Sequence, residues 1–458
     1  MIDPPPLGLD ERAFADAAAY AETAELADRI VGMFSDLGEE SAAPFLAEGS
    51  EPVSDAMLFL SGGSQNGAYG AGYLAEWSKL RSQAGKDGLP RFRMITGIST
   101  GALQSTYAFI GDMGPVVDSY TIDSESELLD VFTPGGGLRS ESTWQKLKGA
   151  LSLARRGSLS DLRPLREQIA GKPGDEAGSL ISDAILRRVA AEAGPDIERP
   201  RRMLLVGAVE MDSGDAYAFD LTKAAQLYAY KDQPWMRDCY IEALMASSSV
   251  PMAALPVFID GKMYIDGGAR FGVISDFTAS VYNAVAEKRQ AARRAQAAAK
   301  GLTLPDPLPA EKMNLYVLVN GTLEAGVTCH LQDCEKHPLP SEGSPGAGEP
   351  GAWSIDKVGL RAMSILINQS YRSSVFWATT RSKALGFTPH FTRIETPMRD
   401  HLARLEFDNP AGEVLTCSKW RERDKEKSNP LEFHPRFMQC LINYGATRAA
   451  EEKWATFD

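Results

Sequence analysis

Gly97-Ile98-Ser99-Thr100-Gly101 reads G-x-S-x-G. It follows the apolar run RFRMIT and leads into TGALQSTYAFIG, so it falls where a strand passes into a helix. In that setting the motif holds a serine on a sharp, strained turn with its hydroxyl exposed. The flanking glycines let the chain pass closely without side chains. The helix N-terminus behind Ser99 offers unpaired N–H groups and a partial positive charge, suited to a developing oxyanion. The chemistry implied is nucleophilic attack by Ser99 on an acyl carbon. The same five residues would also suit a plain Ser/Gly turn capping a helix, and the pattern alone leaves both open.

Two further stretches bear on the choice. In MYIDGGA, Asp266 follows apolar residues and precedes Gly267 and Gly268, which places a carboxylate at a turn off a strand end. A lone Asp-Gly is usually only a turn, and Asp260-Gly261, six residues earlier, reads as one. In LFLSGGSQNGAYGAGYL, residues 58–74, five glycines follow an apolar run. Such a loop could cradle a phosphate or present backbone amides to another group. The spacing is not the G-x-G-x-x-G of dinucleotide binders, and no Walker lysine follows.

The elements that must position these residues are legible in outline. AMLFL and RFRMITGIS read as buried strands, each followed by glycine turn chemistry and a helix. RRMLLVGAVEM and DAYAFDL alternate as paired strands around a DSG turn. FIDGKMYIDGG holds two short strands, and KMNLYVLVNGT is another strand. SIDKVGLRAMSILINQSYRSSVFWATTRSKALG forms a long helix. Strand, tight turn and helix in repetition predict an α/β fold: a three-layer α/β/α arrangement with a mostly parallel central sheet and an inserted helical cap. An N-terminal extension, helical or partly disordered, spans 1–54. The catalytic domain spans 55–325 with the cap at about 112–200, an exposed loop follows at 326–353, and a C-terminal helical part at 354–458 packs on the domain.

Of 458 residues, 44% are hydrophobic and 24% charged, the mix of a globular protein. A net charge of −13 argues against nucleic acid as a partner. No run of ~18 apolar residues is present, so no transmembrane helix is expected. MIDPPPLGLDERAF lacks a basic segment followed by an apolar one, so it does not read as a signal peptide; a trimmed export signal is left open. Five cysteines, few and odd in number, fit a reducing compartment. A cytoplasmic or peripheral-membrane location is therefore expected. Cys329, His330, Cys334 and His337 do not have a common zinc spacing, so no metal and no cofactor are expected. KLKGALSLARRGSL mixes leucines with basic residues and is a candidate lid or membrane-docking segment, while the basic helix EKRQAARRAQAAAKG reads as solvated.

Taken together, the three ordered motifs resemble the patatin-like phospholipase family: a Gly-rich loop after the first strand, G-x-S-x-G after the next, and D-G-G/A far downstream. GSLSDLRPLREQI and ASSSVPMAALPVFIDGKMYIDGG resemble the family as well, and the likeness covers about 55–325. The resemblance implies Ser99 as nucleophile and Asp266 as general base, without histidine. The amides around Gly62, Gly63 and Ser64 would form the oxyanion hole, with Asn66 and Thr100 as secondary candidates. It implies a phospholipase A-like hydrolase acting on lipid acyl esters through an acyl-enzyme, with peripheral membrane contact. The free aspartate pKa of about 3.9 makes the base charged but weak at neutral pH.

This chain departs from the usual G-G-G-x-R/K-G loop: Ser64 replaces the third glycine and Asn66 the basic residue. A serine supplies the same N–H if its backbone angles are ordinary. A Ser-Asp-His esterase is the competing enzyme class, with His390 and His401 as the candidate histidines. A catalytically weak binding protein of the same fold is the non-enzymatic alternative.

Overall fold

The computed structural model describes residues 17–35, 52–131, 158, 160–172, 178–251, 253–274, 279–303, 313–323, 355–384, 387–406, 408–428, 430, 432–451 and 454–456. The strands of the main sheet are β1 (Ser54–Leu60), β2 (Phe92–Ile98), β3 (Met203–Glu210), β4 (Ala216–Asp220), β5 (Val257–Ile259), β6 (Lys262–Asp266), β7 (Asn314–Val319), β8 (Thr388–Arg393) and β9 (Ala455–Thr456). They run in the order β9-β8-β7-β1-β2-β3-β6-β5, with β4 also paired to β3. The five central strands, β8-β7-β1-β2-β3, are parallel. β9, β4, β6 and β5 join antiparallel.

Side-chain alternation along β1 explains the layers. Ala56, Leu58 and Leu60 enter one hydrophobic core, and Met57 and Phe59 enter the other. Both faces are therefore covered, which is why the parallel strands read as near-continuous apolar runs. The first core is roofed by helices α2 (Gly67–Gln83), α3 (Thr100–Ile110) and α4 (Met236–Ser248), together with the later helix α7 (Pro435–Ala450). The second is roofed by α1 (Ala17–Ser35), through Ile30, Val31, Met33 and Phe34, and by α6 (Ile355–Ala384), through Val375 and Ala378. The result is a three-layer α/β/α fold with a mixed, mostly parallel sheet. Between β6 and β7 lies α5 (Ala279–Ala299), which contains most of the basic, Ala-rich stretch.

Turn chemistry follows the residue types. Asp260 and Gly261 both have positive φ, 50° and 77°, and close the β5–β6 hairpin, as the favoured two-residue turn requires. The glycines of the opening loop divide their work. Gly72 lies where a Cβ would stand 2.1 Å from the carbonyl of Ile442, and on the facing helix a Cβ at Gly445 would stand 2.2 Å from that of Tyr69. These two let α2 and α7 touch backbone to backbone and take no part in a ligand loop.

One expectation is corrected. Cys417 and Cys440 form a disulfide with Cα atoms 5.4 Å apart, whereas a reducing compartment was expected from the cysteine count. Such bonds persist in oxidising surroundings. Their 23-residue separation in sequence gave no hint that the helix Cys417–Lys427 and α7 meet there. The KLKGALSLARRGSL segment, the 326–353 loop and the Cys329–His337 cluster lie outside the described residues, apart from Ser158 of the first. Among the described residues no helix is long and apolar enough to cross a membrane.

Candidate active site

The site begins with an unusual sharing of one strand edge. β4 occupies one edge of β3 from Leu205 to Val209. On the other edge β2 pairs up to Ile98↔Gly207, and β6 then takes over at Ala208↔Asp266. One strand stops where the other arrives. Ser99, the residue after Ile98, and Asp266 are thus brought together across a single step of β3, although 167 positions separate them in sequence. Gly267 makes the junction feasible: a Cβ there would stand 2.8 Å from the Gly207 carbonyl and 3.1 Å from Ile98 Cγ2.

Ser99 sits on the turn with φ 53° and ψ −125° and is 5% exposed. That conformation costs a non-glycine residue about 1–3 kcal/mol, and neighbours hold it in place. Its N–H donates to Ser247 Oγ at 2.9 Å, and Ser247 Oγ donates to the Gly207 carbonyl at 2.6 Å. Gly97 and Gly101 are glycine for steric reasons: Cβ atoms would stand 2.4 Å from the Gly101 carbonyl and 2.5 Å from the Leu60 carbonyl, respectively. The Ser99 side chain lies close enough to the Asp266 carboxylate to favour its ionised form.

Asp266 is 3% exposed. Its N–H donates to the Ser249 carbonyl at 2.9 Å, and its Oδ1 accepts from Gly268 N–H at 2.6 Å. Burial raises its pKa from 3.8 to about 6, against the opposing effect of the nearby Ser99 side chain and the Gly268 N–H. The weak base expected from the free amino acid is thereby corrected. The enclosed carboxylate is a stronger base, and still ionised at neutral pH.

The Gly62–Ser64 loop lies beside Ser99. A Cβ on Gly62 would stand 3.1 Å from Ser99 Cβ, and one on Gly63, where φ is 153°, would stand 1.9 Å from the Asn320 carbonyl. Among the described residues, the N–H groups of Gly62, Gly63 and Ser64 have no acceptor. Three donors therefore stand available at the loop. Ser64 does not have ordinary backbone angles; its φ is 51°, a left-handed conformation costing an L-residue about 1–2 kcal/mol. The loop imposes on Ser64 a shape that glycine would take freely.

Asn320, just past β7, is the residue that holds this loop, and sequence reading missed it. Its N–H donates to Ser61 Oγ at 2.8 Å, its Nδ2 donates to the Ser61 carbonyl at 2.8 Å, and its Oδ1 accepts from Gly70 N–H at 3.1 Å. A buried amide following a strand was its only sequence signal. Of the secondary candidates, Thr100 turns away from Ser99: its hydroxyl pairs with that of Tyr120, and both press on Gly67. Asn66 sits half-buried at the start of α2 and makes no side-chain capping bond.

The histidines go elsewhere. His390 stacks on Tyr316 at 4.4 Å and bonds Asn314 at 3.0 Å, with its pKa lowered by burial. Its register partner Tyr316 lies three residues before Val319 at the strand end, below the level of the site. His401 bonds Asn443 at 2.7 Å, and His434 bonds the Glu432 carbonyl. His330 and His337 lie outside the described residues. A second residue absent from the sequence reading does reach the site: Tyr371 of α6, whose hydroxyl stands 2.1 Å from the Cβ position of Gly62.

Residues 58–277 match the family model described as patatin-like phospholipase. Over that stretch, just under half of the chain, the sequence is similar to a patatin-like phospholipase domain. Among solved structures, VipD from Legionella pneumophila aligns over 89% of this chain and 69% of its own, with 13% identity and a TM-score of 0.33. No curated protein matches the sequence.

Proposed function

We propose that this protein is a serine lipid acyl hydrolase of the phospholipase A type, working through a Ser99–Asp266 dyad. The observation that carries the reading is the meeting of a serine on a strained strand–helix turn with a buried carboxylate of raised pKa, across one step of β3. Ser99 Oγ attacks the ester carbonyl as Asp266 takes its proton. The carbonyl electrons move onto oxygen, where the N–H groups of Gly62, Gly63 and Ser64 meet the charge. The alcohol then leaves with that proton, giving acyl-Ser99. Water, deprotonated by Asp266, releases the fatty acid and restores Ser99. None of these steps calls for a metal or a histidine.

A lipid surface as partner is supported by Leu366, Phe376 and Trp377, exposed at 70, 60 and 46% along α6. Leu366 and Trp377 lie three turns apart, on one face of the helix. Large apolar side chains grouped on one face suit peripheral contact with a bilayer.

The test is hydrolysis of a soluble short-chain ester and of a labelled phospholipid in vesicles by wild type, Ser99→Ala and Asp266→Asn. Loss of ~10⁴-fold or more in both variants, for both substrates, is expected. Cleavage of the ester alone would remove the phospholipid assignment and keep the dyad. An inert wild type that binds vesicles would leave the fold as a binding module. A loss in His390→Ala or His401→Ala as large as in Ser99→Ala would replace the dyad by a triad.

A further inference from the structure

We propose that Tyr371 is a further catalytic residue, its phenol hydroxyl donating a hydrogen bond to the oxyanion formed at Ser99, beside the N–H of Gly62. The proposal rests on the acyl-transfer reading above and adds to it a residue from outside the matched 58–277 domain.

The helix bearing Tyr371 is fastened to the chain that follows Asp266. Ser370 Oγ donates to the Arg270 carbonyl, Gly272 N–H donates to Ser374 Oγ at 3.0 Å, and Ser374 Oγ donates to the Ser370 carbonyl. A Cβ on Gly272 would stand 2.6 Å from Tyr371 Cα, so helix and turn meet backbone to backbone. Anchored there, the tyrosine reaches both halves of the site. Its hydroxyl stands 2.1 Å from the Cβ position of Gly62, from which Ser99 Cβ is 3.1 Å. It also stands 2.9 Å from the Cβ position of Gly268, from which Asp266 Oδ1 is 3.0 Å.

Three properties select the donor role. The residue is half-buried as a whole, and its hydroxyl lies over Gly62. Among the described residues that hydroxyl has no hydrogen-bond partner, so it is free to donate to a group that arrives there. Burial, and then the charge of Asp266, hold its pKa well above the ordinary phenol range, so it keeps its proton and serves as a donor, not a base. No proton moves to or from Tyr371 in the step. The Ser99 proton still passes to Asp266, and the phenol only shares its hydrogen with the new oxyanion. Because Gly62 has no side chain, the phenol oxygen and an amide N–H can converge on one acceptor.

The experiment compares wild type, Tyr371→Phe and Tyr371→Ala on a soluble short-chain ester, with kcat and KM separated and Tm measured. Among the described residues the hydroxyl has no partner to strand, so Tyr371→Phe is expected to melt with wild type. Its kcat should fall ~100-fold, the loss typical of one oxyanion donor, with KM within about threefold, as befits an interaction made only in the transition state. A kcat within twofold of wild type overturns the proposal. Faster turnover by Tyr371→Ala or Tyr371→Phe also overturns it, and marks the ring as a plug over Gly62. If wild type is inert, or Ser99→Ala is as active, the acyl-transfer reading fails and the proposal falls with it. Failure of Tyr371 alone shows as an active wild type, a dead Ser99→Ala and an unchanged Tyr371→Phe.

Discussion

β1 and β2 lie side by side, and each ends in a glycine turn that opens a helix. The two turns nevertheless expose opposite things. After β2, the chain points a side chain into the site and uses up the backbone donor: Ser99 N–H is taken by Ser247. After β1, the chain withholds side chains at Gly62 and Gly63 and, among the described residues, leaves the backbone donors of Gly62, Gly63 and Ser64 without acceptors. The contrast shows that a glycine-rich strand–helix turn has no chemistry of its own. What decides it is which polar group the surroundings leave unsatisfied, and that is settled by distant residues, Ser247 for one turn and Asn320 for the other.

The contrast can be tested by damaging each turn separately. Gly63→Ala brings a Cβ to within 1.9 Å of the Asn320 carbonyl, so the loop must move. Loss of ~100- to 1,000-fold in kcat is expected, with reaction of Ser99 toward a small acylating reagent affected less than ester turnover. Equal loss in both assays would mean that the two turns do not act separately.

On the Ser99 side, Asp266→Asn should inactivate the protein and yet stabilise it. Its pKa lies above the unfolded value, so the ionised carboxylate opposes folding. That cost is absent below about pH 3.8, grows up to about pH 6 and is complete above. Removing it should add on the order of 2–3 kcal/mol at pH 7.5, read as a higher Tm. A lower Tm would assign Asp266 a structural role instead.

The same pKa predicts the activity profile. If Asp266 is the base, as proposed, it must be ionised, and kcat/KM should fall tenfold per pH unit below about 6 and level off above it. A midpoint near 4 would mean that the carboxylate is solvated in the working enzyme. The smallest effect is expected at Asn66→Arg, which adds a positive charge at the start of α2 near the loop. Turnover should rise severalfold, and an unchanged rate would show that the loop needs only its amides.

Much of this arrangement was legible beforehand. The apolar runs marked β1, β2, β3 and β7, the DSG and Asp260-Gly261 turns marked their hairpins, and the long helix at 355–384 follows from its length and composition. Ser99 and Asp266 stood out because glycines bracket them in patterns with steric meaning. Tyr371, Asn320 and Ser247 did not. Each is a common residue inside an ordinary helix or just past a strand, and its role comes from distant contacts, 259 residues away in the case of Asn320 with Ser61 and 148 in the case of Ser247 with Ser99. Gly70 and Gly72 were drawn into the loop by sequence proximity, whereas the fold uses them to seat Asn320 and α7.

The sequence by itself determined the strand–turn–helix units, the three-layer class and the two residues proposed to carry the chemistry, because apolar periodicity and glycine placement are local properties of the chain. Only the tertiary structure decided that β2 and β6 share one edge of β3, so that Ser99 meets Asp266. It also decided that burial lifts the carboxylate to about 6 and that Tyr371 comes over Gly62. These are consequences of register and desolvation, and both arise only when segments far apart in the chain exclude water from the same small volume.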